Sequence, residues 1–246
     1  MTFADHFSQV AARYAAYRPR YPEALVDVLA ERADTTGTVW DVGCGNGQLS
    51  VALAERFARV IATDPAQAQL DRAAAHPRVE YRCSSAEDSG LPEGSVALVV
   101  AAQAAHWFDW PRFVAEVDRV VARGGLVALV SYGILTVDGA AGDMVRHFYN
   151  EVVGGYWPPG REHVENGYRD LVMPWPAVAA PAIEMTADWT RDELVGYASS
   201  WSATARLVEV QGQGPFDAFG AALARVWPDG ERRRVRWPLT VRLARR

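Results

Sequence analysis

The chain has 246 residues, of which half are hydrophobic and 22% charged, with 25 bases against 30 acids for a net charge of −5. That composition supports a sizeable buried core in one or two domains and excludes disordered, collagen-like and low-complexity architectures. Every base is arginine, so Schiff-base, lysine general-base and P-loop phosphate chemistry are excluded as well, and the acidic balance argues against a free-standing nucleic-acid binder.

Taken in chain order, Phe7, Val10, Ala11 and Tyr14 recur at helical spacing. The run Tyr17-Arg18-Pro19-Arg20-Tyr21-Pro22 ends that helix, because a residue before proline avoids helical dihedrals. No basic start precedes a long apolar core, so a secretory signal is not expected. A second helix is predicted from Pro22 to about Ala33. Thr38 to Val42 reads as a short strand, closed by Gly43-Cys44-Gly45-Asn46-Gly47 and followed by a helix over 48–57. Val60 to Asp64 is a second strand ended by Pro65, with a helix over 66–75. Val79 to Cys83 is a third strand. Val96 to Ala101 is wholly apolar and reads as a fourth, buried on both faces as central parallel strands are. A helix over 111–122 is broken by Gly124-Gly125, and Leu126 to Ser131 is a fifth strand.

The periodicity then degrades. A helix is predicted over 143–153, followed by Gly- and Pro-rich, aromatic sequence. Ile183 to Asp188 reads as a strand, Thr190 with Glu193 has capping-box spacing, and a helix over 216–227 precedes a strand over 233–242. The two late strands are expected to pair antiparallel at the sheet edge. The whole reads as one α/β domain spanning 1–246. Its core would be a Rossmann-like, doubly wound, seven-stranded and mostly parallel sheet with an antiparallel edge hairpin. Helices in 1–35 would cap it and a helical insertion over 133–180 would act as a lid, both closing over the site. Cys44 and Cys83 have no CxxC partners, so no metal site is expected and a reducing compartment fits. No stretch is long enough to span a bilayer, and a cytoplasmic protein without membrane partners is the expectation.

The central signal is Asp41-Val42-Gly43-Cys44-Gly45-Asn46-Gly47. Glycines at the tip of the first strand let a ligand approach the backbone. Asp64 ends the second strand, where a carboxylate can accept from both ribose hydroxyls of a nucleoside. Ser85-Ala86-Glu87-Asp88 follows the third strand on the same edge, where it can read an adenine. A nicotinamide fingerprint would space its glycines GxGxxG, which this loop does not.

VWDVGCGNGQLS, IATDP and SSAEDSGLP at these spacings resemble the class I S-adenosylmethionine-dependent methyltransferases, and the resemblance covers the whole chain. The YRPRYP run, Ala105-His106-Trp107-Phe108-Asp109 and Trp157-Pro158-Pro159 are similar to the small-molecule enzymes that include the trans-aconitate methyltransferase group. The resemblance implies S-adenosylmethionine as cofactor. Asp41, Gly43, Cys44 and Gly45 would surround its methionine end, Asp64 would hold the ribose, and Pro65 would lie on the adenine. Ser85, Ala86 and Glu87 would line the adenine edge, and Gln103 would lie near the sulfonium. Many relatives place an acid where Ser85 sits, which leaves the N6 contact between Ser85 and Glu87.

His106 is the candidate catalytic residue, as a base or a substrate contact; the bland alternative is a histidine satisfied within a short turn. Tyr17, Arg18, Trp107, Tyr132, Trp157 and Arg161 are the other candidate substrate residues. The bland reading for Arg18 is a helix cap, and for the aromatics, Tyr168 and Trp201 included, core packing. Seven arginines from Arg232 to Arg246 read as a solvated strand edge. The expected activity is in-line methyl transfer to a small organic acceptor, with a carboxylic acid favoured by Arg18, Arg20, His106 and Arg161. A macromolecular acceptor is the alternative, although Ala102-Gln103-Ala104-Ala105 lacks the Asn-Pro-Pro-aromatic run of adenine-N6 and glutamine methylation. A nucleoside-binding protein without turnover is another.

Overall fold

A computed structural model describes residues 19–246. The helix expected around Phe7 to Tyr14, with Tyr17 and Arg18, lies outside the described residues. The described chain forms two compact units. The larger comprises Arg20–Tyr132, Glu162–Ile183 and Leu239–Arg246.

In this unit the apolar strands alternate their side chains between two cores. Helices α1 (Glu23–Arg32) and α2 (Gln48–Ala54) cover one face of the sheet. Their Leu25, Leu29, Leu49 and Leu53 pack with Val39 of β1 (Thr38–Val42), Val60 of β2 (Arg59–Asp64), Leu98 and Val100 of β4 (Val96–Ala102), and Leu126 of β5 (Val121–Tyr132). Neighbouring positions point the other way. Trp40, Ile61, Val99 and Val127 pack with Phe113, Val117 and Val120 of α4 (Trp110–Val120) and with Tyr168 and Leu171. Trp40 is fully buried, and its indole N–H donates to Thr63 Oγ1 at 2.8 Å. A short helix α3 (Gln67–Leu70) and β3 (Val79–Cys83) complete the first half.

Strand order is β3-β2-β1-β4-β5-β10-β7, where β7 is Ala177–Val178 and β10 is Leu239–Arg245. The first five run parallel, and β10 pairs antiparallel with both β5 and β7. This is the expected seven-stranded, mostly parallel, doubly wound sheet. Its direction of winding reverses between β1 and β4, so the crevice at their carboxyl ends is the place where such sheets bind ligands.

The antiparallel edge differs from expectation in its strands. The stretch 233–242 is not one strand: Pro238 divides it into β9 (Arg233–Trp237) and β10. Proline has no N–H to donate, so it cannot continue a ladder between two strands. The segment after Pro65 is also shorter than the predicted helix over 66–75. It ends at Leu70, and the Tyr81 hydroxyl donates to the Ala74 carbonyl at 2.9 Å in the stretch that follows. Strand β5 begins at Val121, so Gly124-Gly125 lies within it rather than before it.

The smaller unit comprises Pro19, Gly133–Arg161 and Glu184–Pro238 among its described residues. The stretch 133–180 is thus shared between units, its latter part belonging with the sheet. A three-stranded antiparallel sheet, β6 (Thr136–Val137), β9 and β8 (Met185–Trp189), carries the partner of the 183–188 strand. Helices α5 (Ala140–His147), α7 (Arg191–Ser199), α8 (Ser202–Gln211) and α9 (Gly214–Ala224) pack in the same unit. A five-residue helix α6 (Arg161–Glu165) lies at the boundary in sequence. The capping box at Thr190 and Glu193 forms as predicted, whereas α8 was not predicted. The 143–153 helix is α5 followed by a π-turn over Phe148–Val152, with Phe148 stacked on Phe219 at 4.2 Å between centroids. Among the described residues no helix is long and apolar enough to cross a membrane.

Phe113 is fully buried and meets Trp40, Phe108 and Trp110 with ring centroids 4.8–6.2 Å apart. Phe113→Ala should cost about 3–5 kcal/mol in urea unfolding. A loss below about 1 kcal/mol would mean that α4 is not seated on this core.

Candidate functional site

The carboxyl ends of β1 to β4 carry the candidate residues. At the end of β1 the backbone turns through Gly43, Gly45 and Gly47, all in the left-handed region with φ of 68°, 56° and 76°. The Gly43 and Cys44 N–H groups donate to the Thr63 carbonyl at 2.8 and 3.0 Å, which ties the loop to β2. The three glycines differ in surroundings. A Cβ on Gly43 would lie 2.5 Å from Ala104 Cβ, and one on Gly47 would clash with the Tyr81 ring. A Cβ on Gly45 would meet nothing within 4 Å. Gly43 and Gly47 are therefore required by packing, while Gly45 exposes backbone to open space.

Asp64, at the end of β2, is held from both sides. Gly45 N–H donates to Oδ2 and Ala66 N–H to Oδ1, each at 2.9 Å. Each oxygen keeps a second lone-pair direction for a ligand hydroxyl. Burial raises the Asp64 pKa, and the two N–H groups oppose that shift. Asp41 is 1% exposed and accepts from Ser50 Oγ at 2.5 Å. Burial pushes its pKa up to about 7, against the Ser50 hydrogen bond and with a smaller contribution from the Asp64 charge. Burial and the same two acids push the Cys44 thiol up, so it is held as a thiol rather than a nucleophile.

Beyond β3, Ala86 is buried and Ser85 bridges Asp88. Glu87 Oε1 accepts from the Asp109 N–H at 2.9 Å, which engages one of its oxygens. Glu116 of α4 accepts from both the N–H and the hydroxyl of Ser89, at 2.9 and 2.5 Å. Helix α4 thus fixes the loop after β3. Asp109 caps that helix, accepting from the Arg112 N–H at 3.4 Å. Pro65 is exposed at the rim.

After β4, Gln103 adopts φ 53° and its side-chain amide donates to the Tyr132 carbonyl at 2.7 Å. Tyr132 is buried with its ring edge-on to Tyr21. His106 lies in a short 3₁₀ turn, Ala105–Trp107, with Nδ1 2.9 Å from the Tyr168 hydroxyl and its ring 4.8 Å from that of Trp107. In the smaller unit, Arg161 Nε donates to the Tyr149 hydroxyl at 2.7 Å, and its guanidinium lies over the Trp157 ring at 4.5 Å. Trp157 also meets Trp201.

The structure therefore brings Asp41, Gly43, Cys44, Gly45 and Asp64 together at the adjoining carboxyl ends of β1 and β2, with Ser85 to Glu87 and Gln103 at the neighbouring strand ends. Trp157 and Arg161 form a separate cluster in the other unit. Sequence reasoning missed Ser50, Tyr149, the pairing of Tyr168 with His106, and the clamp of Glu116 on Ser89. Only Ser50 had a local signal, lying within the helix that the glycine loop opens.

Residues 40–129 match the methyltransferase domain family. A Dictyostelium discoideum protein carrying a methyltransferase name is 33% identical over 211 residues, covering 84% of this chain and 80% of that one. A Mycobacterium tuberculosis protein, named as an uncharacterized methyltransferase, is 34% identical over 197 residues, covering 80% of this chain and 76% of that one. A solved structure from Anaeromyxobacter dehalogenans, described as a type II methyltransferase, is 43% identical with a TM-score of 0.87, covering 93% of this chain and 98% of that one.

The buried acid sets a pH dependence. Folded Asp41 holds its proton up to about 7, whereas its ordinary pKa is 3.8. Between those values the folded state binds more protons than the unfolded state, so stability falls as pH rises through the window. Asp41→Asn keeps an oxygen for Ser50 and removes the ionisation. At pH 8 it should gain up to about 4 kcal/mol in urea unfolding, and most of the slope between pH 4 and 7 should vanish, the remainder belonging to Asp64. An unchanged slope would refute this origin.

Proposed function

The chain belongs to the class I S-adenosylmethionine-dependent methyltransferases, and on that premise we propose that it methylates a small organic acceptor, with carboxylic acids the favoured class. The observation that carries the cofactor assignment is the Asp64 carboxylate, fixed by the Gly45 and Ala66 N–H groups beside the open face of Gly45. That arrangement fits a ribose, whose two hydroxyls need two accepting oxygens in fixed positions. Asp41 and the glycine loop are assigned to the methionine end, Pro65 and Ser85 to Glu87 to the adenine, and Gln103 to the region of the sulfonium.

When bound, S-adenosylmethionine supplies a methyl group on a positively charged sulfur that departs as a neutral thioether. The chain then has mainly to hold the acceptor in line and exclude water, and positioning of that kind supplies roughly 7–11 kcal/mol. A carboxylate acceptor has no proton to lose. His106 is assigned to it as a hydrogen-bond donor that orients the attacking oxygen, not as a base.

Two measurements test this reading. Asp64→Ala should weaken S-adenosylhomocysteine binding by about 10- to 150-fold in calorimetry, the loss of a charged hydrogen-bond partner. Equal binding would remove β2 from the cofactor site. A panel of carboxylic acids, phenols and amines, incubated with radiolabelled methyl donor, should label acids. Labelling of phenols or amines alone would overturn the acid assignment and leave the methyltransferase standing.

A further inference from the structure

The residue that faces the candidate catalytic histidine comes from more than sixty positions away and is held there at a cost. Tyr168 is fully buried, yet its backbone is left-handed with φ 60°. A non-glycine residue in that region is strained and persists only where its surroundings over-determine it. Here the surroundings do so on three sides. The Tyr168 N–H donates to the His163 carbonyl at 2.7 Å. Arg242, reaching over from β10, donates from Nη1 to the carbonyls of Tyr168 and of Leu171, the latter at 2.8 Å. Gly167, also left-handed, passes so close to β10 that a Cβ would lie 2.8 Å from Thr240 Oγ1. All of this aims one group: the Tyr168 hydroxyl, 2.9 Å from His106 Nδ1, with the two rings nearly parallel at 26° and 6.0 Å between centroids.

We infer that Tyr168 is a positioning residue for His106, donating its hydroxyl hydrogen to Nδ1 so that the imidazole carries its own hydrogen on Nε2 and presents it to the anionic acceptor. The inference rests on the proposed role of His106 and deepens it. A neutral imidazole has one donor and one acceptor nitrogen, and the hydrogen bond at one decides the function of the other. A phenol donating to Nδ1 makes Nε2 a donor, which suits an acceptor that arrives already deprotonated. It also holds the ring against rotation. Arg242 acts one step further back, by fixing the turn from which Tyr168 projects.

The test has an arm that needs no acceptor. In protein labelled with ¹⁵N-histidine, with His106 assigned by its loss in His106→Gln, the neutral ring should show an unprotonated, hydrogen-bonded Nδ1 and a protonated Nε2. A proton on Nδ1 would overturn the inference. Tyr168→Phe should free Nδ1 from that bond and move its ¹⁵N shift to that of an imidazole nitrogen without the phenol partner. An unmoved Nδ1 shift would also overturn it. The second arm measures turnover with succinate, citrate and benzoate. On any of these that is methylated, Tyr168→Phe should lower kcat about tenfold with KM for the methyl donor unchanged. It should add nothing in a His106→Gln background. An additive loss would make Tyr168 merely structural. A His106→Gln variant with wild-type kcat would instead refute the role of His106, leaving the nitrogen measurement to judge the Tyr168 contact by itself.

Discussion

A single carboxylate joins the two strand ends on which the site is built. Asp64 ends β2, yet its two oxygens are occupied by N–H groups from two different loops, that of Gly45 after β1 and that of Ala66 at the start of α3. A charge-assisted hydrogen bond from backbone N–H is among the stronger ones a protein makes. Here it sets the distance between neighbouring loops before any ligand arrives. The Gly43 and Cys44 N–H groups reinforce it by donating to Thr63, one residue back along β2. The loop can follow this path because its three glycines accept the left-handed backbone. Binding energy is then not spent on ordering the loops, which is the advantage of a preorganised site.

Much of the larger unit was legible in sequence, because its signals are local. Strands β1, β2 and β4 are short, largely apolar runs, and they and β3 fold close to where they were read, while β5 extends five residues further towards its N-terminus. Asp41 and Asp64 could be singled out for the same reason, as acids near the carboxyl ends of largely apolar strands. What escaped has a common cause. The split at Pro238, the pairing of β10 with β5 and the meeting of Tyr168 with His106 all depend on residues far apart in the chain. The antiparallel pairing expected of the two late strands does form, between β8 and β9, but in the three-stranded sheet and not at the edge of the larger one. A run of arginines alternating with apolar residues looks the same whether it belongs to one strand or two. Pro238 was visible, but only a partner strand on each side of it makes the division necessary.

The same contrast holds at the loop after β3. It was singled out by its position after the edge strand of the sheet. Its rigidity follows from Glu116, buried on α4 and bonded to Ser89 and Arg119, a cluster that holds the Glu116 carboxyl down at about 2. Nothing near Ser89 in sequence announces that partner. In the smaller unit, aromatic residues that composition marked as pocket walls or core are organised around the π-turn at Phe148 and Tyr149. The wider turn places Tyr149 so that its hydroxyl meets Arg161 and its carbonyl the Trp157 indole.

The order in which the sheet is completed has a consequence for biosynthesis. Strand β5 pairs on one side with β4, made just before it, and on the other with β10, made only after the entire smaller unit. A nascent chain carrying β1 to β5 therefore presents a bare, apolar strand edge until Leu239 to Arg245 have left the ribosome. Long-range pairings of this kind are slow to form, and an unpaired edge invites association with other chains while it waits. During synthesis the danger is greatest not at either half of the protein but in the interval between them, when one edge of a nearly finished sheet has no neighbour.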